Sequence, residues 1–212
     1  MPFIDLDHLS ESLRNRLQQK LPGWQAHLKM ATEYHRSARI QPPTDTRKAG
    51  VLILLYADGG DIWMPLIQRP IYQGVHSGQM ALPGGKVEQT DLDIIDTALR
   101  ETHEEIGVKV LRSAVLGKLS DIYIPPSNMT VTPVIATTLT RPKYTREVSE
   151  VAKILDIALS QLKDTKNMTS CEVGRYDDKP LSAPAYVLSD KVVWGATAMM
   201  LSEFLHILDE LA

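Results

Sequence analysis

The 212 residues contain one thiol, Cys171, so no intramolecular disulfide can form and no zinc site of paired cysteines can be built. That composition suits a reducing compartment, and the chain is expected in the cytoplasm. Apolar runs of membrane-spanning length are also missing. The N-terminus MPFIDLDHLSESLRNRLQQKL alternates apolar with charged residues and lacks the apolar segment of an export signal. Neither membrane insertion nor export is expected. An excess of positive charge is absent as well: the formal net charge is -3, which provides no general basic field for nucleic acid. An anionic ligand must then be held by a local group of cations or by a metal. Repeats and low-complexity tracts are lacking, and the 13 prolines are scattered. With 43% hydrophobic and 23% charged residues, the composition is that of a globular protein, long enough for one domain with a sizeable core.

From Ile4 to Leu21, Leu6, Leu9, Leu13 and Leu17 recur at helical spacing, and Pro22-Gly23 ends the pattern. The polar, Pro-Pro-containing stretch 36–48 reads as a linker. The expected organisation is therefore an N-terminal helical extension and linker over 1–48 and a main domain over 49–212. AGVLILLY (49–56) suits a buried strand, DGGD (58–61) a turn, and IWMPLIQR (62–69) the returning strand of a hairpin. Later come two β-rich runs broken by PPSN (125–128). SEVAKILDIALSQL (149–162) reads as helix, or as a strand and a turn. WGATAMMLSEFLHILDEL (194–211) reads as a buried helix. Strands interleaved with helices predict an α/β (α+β) sandwich, with helices on both faces of a mixed sheet.

One stretch carries more than fold: GGKVEQTDLDIIDTALRETHEEIGV, from Gly84 to Val108. A helix over 91–106 would put Leu92, Ile95, Leu99, Thr102 and Ile106 on one stripe and Glu101, Glu104 and Glu105 on a face turned away from it. Thr90 and Asp93 suit its start as a capping pair, and Gly107 suits its end in the left-handed conformation. Like charges at this spacing cost a helix only about 0.2–0.5 kcal/mol per pair, so energetics alone permits a merely solvated acidic face. The double glycine before the helix favours the other reading. It allows a sharp turn that exposes a backbone carbonyl beside the carboxylates, giving the all-oxygen set preferred by Mg²⁺ or Mn²⁺.

The pattern from the double glycine to Arg100-Glu101-Thr102-His103-Glu104-Glu105-Ile106-Gly107-Val108 resembles the Nudix box. The resemblance implies a metal-dependent pyrophosphohydrolase with the Nudix α/β/α sandwich. Glu101, Glu104, Glu105 and the carbonyl of Gly85 would hold the cations, and Arg100 would fix the carboxylates from behind. The chain departs from the usual box at Thr102, which replaces an apolar residue, and in the spacing from Asp91 to Arg100. Asp91 reads as a residue behind the cluster or a helix cap. Upstream, LIQRPIYQGVHSGQMALPGGK (66–86) resembles the signature of the coenzyme A pyrophosphatase subgroup, which shares the longer spacing. Pro70, Gly74 and Leu82 depart from that signature, Gly74 standing where a basic residue is usual.

The subgroup resemblance implies hydrolysis of coenzyme A or acyl-coenzyme A to 4′-phosphopantetheine, or its acyl form, and adenosine 3′,5′-bisphosphate. Arg69, His76 and Lys86 are the substrate-binding candidates; each also has a plain reading, Arg69 as the end of a strand, His76 as a loop hydrogen bond and Lys86 as a solvated cation. The general base is left open among Glu101, Glu104 and Glu150. Two alternatives are a broader hydrolase of ADP-ribose, NADH or nucleotide sugars, and a nucleotide-sensing module without catalysis. The family also implies that two copies can pair as a homodimer.

Overall fold

Strand β1 (Arg47–Asp58) carries the continuous apolar run, and its two faces enter two different cores. Val51, Ile53 and Leu55 join Met64, Leu66, Phe204 and Leu208 on one side. Leu52 and Leu54 join Ala98, Ile106 and Val134 on the other. The period of two along a strand makes this division, and burial of both faces explains why the run shows no polar alternation. The computed structural model describes residues 5–33, 42–74, 76–176 and 179–211. Part of the expected linker, residues 36–41, lies outside them.

Around β1 lie β2 (Asp61–Gln68), β3 (Met80–Ala81), β4 (Gly84–Lys86), β5 (Val115–Lys118), β6 (Ile122–Ile124), β7 (Met129–Thr137) and β8 (Lys153–Ala158). The path β3-β2-β1-β7-β5 forms the main sheet, with β4 also on β1, β6 on β7 and β8 on β2. β1 and β7 run parallel, whereas β2 and β4 meet β1 antiparallel, so the sheet is mixed as expected. The hairpin of β1 and β2 turns at Gly59 and Gly60, both with positive φ. The ambiguous segment 149–162 resolves into strand β8, which pairs with β2, followed by a short helix.

The helices are α1 (Leu6–Arg16), α2 (Trp24–His27), α3 (Ile94–Ile106), α4 (Leu159–Lys163) and α5 (Gly195–Glu210). α3 packs on one face of the sheet, while α5 and the N-terminal helices pack on the other. α1 is shorter than its leucine pattern suggested. It starts where Asp5 caps Asp7 N–H, and Leu17 continues only as its C-cap. Leu13 is fully buried, and the Arg14 guanidinium donates to the carbonyls of Val115 (2.7 Å) and Ser113 (3.0 Å).

Beneath α2, the buried Glu203 carboxylate of α5 accepts from Gly23 N–H (2.9 Å), Ser120 N–H (3.1 Å) and Ser120 Oγ (2.6 Å), and pairs with His27 Nε2 at 2.9 Å. Every lone-pair direction of this buried charge is used, which is the condition under which burying one is tolerable.

A second, antiparallel sheet of β9 (Met168–Tyr176), β10 (Lys179–Leu188) and β11 (Lys191–Trp194) stands between α4 and α5. Among the described residues, no helix is long and apolar enough to cross a membrane.

Candidate active site

The acidic helix begins later than its periodicity suggested. Asp93 is the N-cap, accepting from Ile95 N–H (2.9 Å) and Asp96 N–H (3.1 Å), and Gly107 closes the helix in the left-handed conformation at φ 73°. Leu92 therefore precedes the helix and is 87% exposed rather than part of a buried stripe. Thr102 and Ile106 are fully buried, as that stripe required.

The three glutamates do not share one environment. Glu105 was expected on the face turned from the core, yet only 3% of it is exposed. β4 runs beside the helix, and Gly84 N–H donates to Glu105 Oε2 at 2.8 Å. Glu101 lies against Gly85 so closely that a Cβ there would sit 2.4 Å from Glu101 Oε1. The double glycine thus has a steric role: any larger residue at 85 would displace the carboxylate. Glu104 is the outer member, half exposed and paired with Arg100 Nη1 at 2.8 Å.

Arg100 ties these groups together. Its Nε and Nη2 donate to the two oxygens of Asp91 at 2.9 and 3.0 Å, Nη2 also donates to the carbonyl of Lys86 at 2.9 Å, and Nη1 lies 3.1 Å from Glu101 Oε1. Asp91 also accepts from Thr97 Oγ1 (2.8 Å) and Glu88 N–H (2.9 Å). It is therefore the anchor of Arg100 rather than a cap of α3. The Arg100 guanidinium, foremost, holds the Asp91 carboxyl well below the usual range despite its burial.

The cluster is completed from a distant segment. One carboxylate oxygen each from Glu101, Glu105 and the exposed Glu150 lie within 4.8 Å of one another. Burial, with a smaller contribution from the neighbouring acids, pushes the Glu105 carboxyl up to about 8; the Gly84 N–H and Arg69 act against this. Burial likewise raises Glu101, against the pull of Arg100. Carboxylates so gathered repel one another and are short of positive charge, and the oxygen-only donor set is that of a hard divalent cation. Glu104 stands outside this triad because Arg100 holds it. Glu150 enters because its loop runs over the end of α3: Glu147 N–H donates to the Glu105 carbonyl at 2.9 Å, and Glu150 N–H to the Glu147 carbonyl at 3.2 Å.

Of the upstream candidates, Arg69 belongs to this neighbourhood. Its charge acts on Glu105, and its Nε is buried without a hydrogen-bond partner. His76 adopts a positive φ of 68°, and its Nδ1 lies 3.1 Å from Gln79 Oε1, a contact within its own loop. Val75 of the same loop lies outside the described residues. Lys86 is exposed at the end of β4, and its carbonyl serves Arg100. The reach of Arg100 back to Asp91 was not foreseen. An acidic residue nine positions before an arginine gives no helical signal, because Asp91 precedes the Asp93 N-cap and lies outside the helix that carries Arg100.

A family model described as the NUDIX domain matches residues 46–163. The mitochondrial coenzyme A diphosphatase NUDT8 of Mus musculus is 33% identical over 132 residues, which cover 60% of this chain and 61% of that protein. The chain thus matches about three fifths of that relative's length. An uncharacterized Nudix hydrolase, NudL, of Yersinia pestis (strain Pestoides F) is 29% identical over 201 residues, 94% of each chain. Among solved structures, a MutT/nudix family protein from Enterococcus faecalis superimposes with a TM-score of 0.55 at 15% identity, covering 98% of this chain and 76% of that one, which speaks for the fold alone. Box, fold and match over more than half the chain agree: the protein belongs to the NUDIX domain family.

Proposed function

We propose that the protein hydrolyses the pyrophosphate bond of coenzyme A or acyl-coenzyme A, releasing 4′-phosphopantetheine or its acyl form and adenosine 3′,5′-bisphosphate. The observation that carries this reading is the joint presence of the carboxylate triad and, directly upstream, the segment 66–86 whose Arg69 reaches the same cluster. The 33% identity to a coenzyme A diphosphatase supports it.

Glu101 and Glu105 are suited to hold Mg²⁺ or Mn²⁺, with the Gly85 carbonyl as a further oxygen; Glu104 fits as an outer contributor, and Glu150 stands within reach of the pair. Such a cation neutralises phosphate oxygens and makes a bound water more acidic. The chain's own part is positioning. Arg100, fixed by Asp91, sets the Glu101 carboxylate, and Gly84 N–H sets Glu105. Arg69, with a buried donor free beside the cluster, is the group we assign to a substrate phosphate. We assign Glu150 as general base, because Glu101 and Glu105 are enclosed and Glu104 is paired, whereas Glu150 is open to solvent. Water adds to phosphorus, its proton passes to Glu150, and the anhydride P–O bond breaks with its electron pair on the leaving phosphate. His76 keeps the loop closed through Gln79, and Lys86 offers an exposed cation at the rim.

The test is competition between coenzyme A, ADP-ribose and NADH at one concentration of Mg²⁺ or Mn²⁺, with products separated by chromatography. Adenosine 3′,5′-bisphosphate as the main product supports the proposal. Preferred cleavage of ADP-ribose or NADH replaces it with the broader hydrolase, and binding without cleavage of any of them replaces it with a nucleotide sensor. Cytoplasmic residence and pairing of two copies belong to the same reading; light scattering at micromolar concentration tests the second.

A further inference from the structure

Glu150 is displayed by residues 138–152, which join β7 to β8 and contain no helix or strand. A carboxylate on such a segment is only as well placed as the segment's anchors. Four backbone anchors are present: Thr138 N–H to the Leu55 carbonyl, Thr145 N–H to that of Ile106, Glu147 N–H to that of Glu105, and Ala152 N–H to that of Gln68, all at 2.8–2.9 Å. Three of these lie in the second half of the segment.

The first half is fastened through side chains to one acid. Tyr144 Oη donates to Asp156 Oδ1 at 2.5 Å, and Arg141 Nη2 donates to Asp156 Oδ2 at 3.1 Å. Arg141 Nη1 reaches Asp58 Oδ2 at 3.1 Å. Asp156 stands on β8 opposite Pro65 of β2, inside the main sheet, so its carboxylate is a rigid mount. Both of its oxygens are taken by the segment. Burial first, then the adjacent Asp156 carboxylate, pushes the Tyr144 phenol far above its ordinary value, so it remains a donor. The next residue, Thr145, seats on the end of α3, where a Cβ on Gly107 would come within 2.7 Å of Thr145 Cβ. Asp156, Tyr144, Thr145 and Glu147 therefore form a continuous path from the sheet to the backbone of Glu105.

We propose that Tyr144, with Arg141, is a positioning residue: by fastening residues 138–152 to Asp156 it sets where the Glu150 carboxylate stands relative to Glu101 and Glu105. The inference rests on the reading that Glu150 takes part in the reaction. A tyrosine that only stabilised the fold would change melting temperature and leave turnover per folded molecule intact. A tyrosine acting through Glu150 changes kcat, and does so only while Glu150 is present.

The experiment is a cycle of four full-length proteins: wild type, Tyr144→Phe, Glu150→Gln and the double variant. Each is assayed with Mn²⁺ on whichever of coenzyme A, ADP-ribose and NADH the wild type cleaves fastest. Tyr144→Phe is expected to lower kcat by about three- to thirtyfold with KM nearly unchanged, and to have no further effect in the Glu150→Gln background. Arg141→Ala, at an exposed position, should show the same dependence on Glu150 more weakly, and keeps the test readable if Tyr144→Phe folds poorly. An unchanged kcat in Tyr144→Phe, or an equal loss in both backgrounds, overturns the clamp while Glu150 keeps its role. Wild-type turnover in Glu150→Gln overturns the role of Glu150 and the clamp with it.

Discussion

Arg100 and Asp91 meet in a two-pronged hydrogen bond, Nε to Oδ1 at 2.9 Å and Nη2 to Oδ2 at 3.0 Å, with the Asp91 side chain only 3% exposed. The pair converts a flexible guanidinium into a fixed support, because its remaining nitrogen reaches Glu101 and Glu104 only while the other two are held. Asp91→Asn keeps the size but loses the charge and one acceptor. Loss of a charged hydrogen bond of this kind is worth about 1.5–3 kcal/mol, so activity should fall roughly ten- to a hundredfold. Arg100→Lys should do no better, since an ammonium cannot reproduce the fork. Steady-state kinetics on both variants checks this, and near-wild-type kcat in Asp91→Asn would remove Asp91 from the machinery.

The sign of the pH effect of this pair follows from the direction of the Asp91 shift. A carboxyl whose folded pKa lies below its unfolded value of about 3.9 adds stability that is complete above that value and is lost as pH falls through the folded one. The wild type should therefore lose more stability on acidification below about pH 4 than Asp91→Asn does. Chemical denaturation of both proteins at pH 7 and pH 3 measures the difference.

Glu105→Gln should abolish turnover without unfolding the chain. The amide keeps an oxygen for Gly84 N–H and matches the carboxyl in size, but cannot ionise to the carboxylate that a cation needs. The discriminating measurement is thermal: Mn²⁺ should raise the melting temperature of the wild type and leave the variant nearly unmoved. An equal rise in both proteins would take Glu105 out of the cation site.

The buried Glu203 offers a prediction on the far side of the sheet. Burial alone would raise its pKa, but His27 foremost, with Ser120 and Gly23 N–H, holds it below the ordinary value. Its stabilisation is present above about pH 4.3 and declines as pH falls below that. Glu203→Gln should cost about 2–4 kcal/mol, because the amide nitrogen that replaces one carboxylate oxygen cannot accept from the donors that met it, and His27 loses a charged partner. Denaturant unfolding should show the loss, with kcat of the folded fraction preserved.

Those two sites divide what the sequence shows from what it hides. The buried strand β1, the hairpin to β2, the end of α3 at Gly107 and the final helix were legible, because each depends on local periodicity or turn chemistry; the start of α3 was not, since the Asp93 cap falls three residues after Thr90. The Nudix-box resemblance pointed to Glu101, Glu104 and Glu105; the fold brings Glu101 and Glu105 together with Glu150, read beforehand only as a candidate base, and leaves Glu104 outside that group. The burial of Glu105 was not legible, since helical spacing cannot reveal that β4 lies alongside. The exposure of Leu92 depended on where the cap fell. Glu203 with His27, and Tyr144 with Asp156, join residues far apart in sequence with no periodic relation, and polar pairs of that kind become visible only after the chain has folded. The sheet of β9, β10 and β11 was missed outright.

The last prediction concerns Arg69, which follows β2 at the edge of the acid cluster. Its Nε is buried without a partner, and a buried donor left unpaired is costly unless something else meets it. A phosphate oxygen of the substrate is the acceptor proposed here, consistent with a guanidinium whose charge already acts on Glu105. If the contact is made on binding and persists unchanged through the reaction, its loss falls on KM rather than kcat. Arg69→Ala should then raise KM roughly ten- to a hundredfold, the equivalent of about 1.5–3 kcal/mol for one charge-assisted hydrogen bond. Lys86→Ala, at an exposed position, should change KM by less than about threefold, in line with the small worth of solvated charges. Parallel titrations of coenzyme A against the two variants and the wild type separate the cases. A fall in kcat for Arg69→Ala with unchanged KM would reassign Arg69 from holding substrate to steadying Glu105.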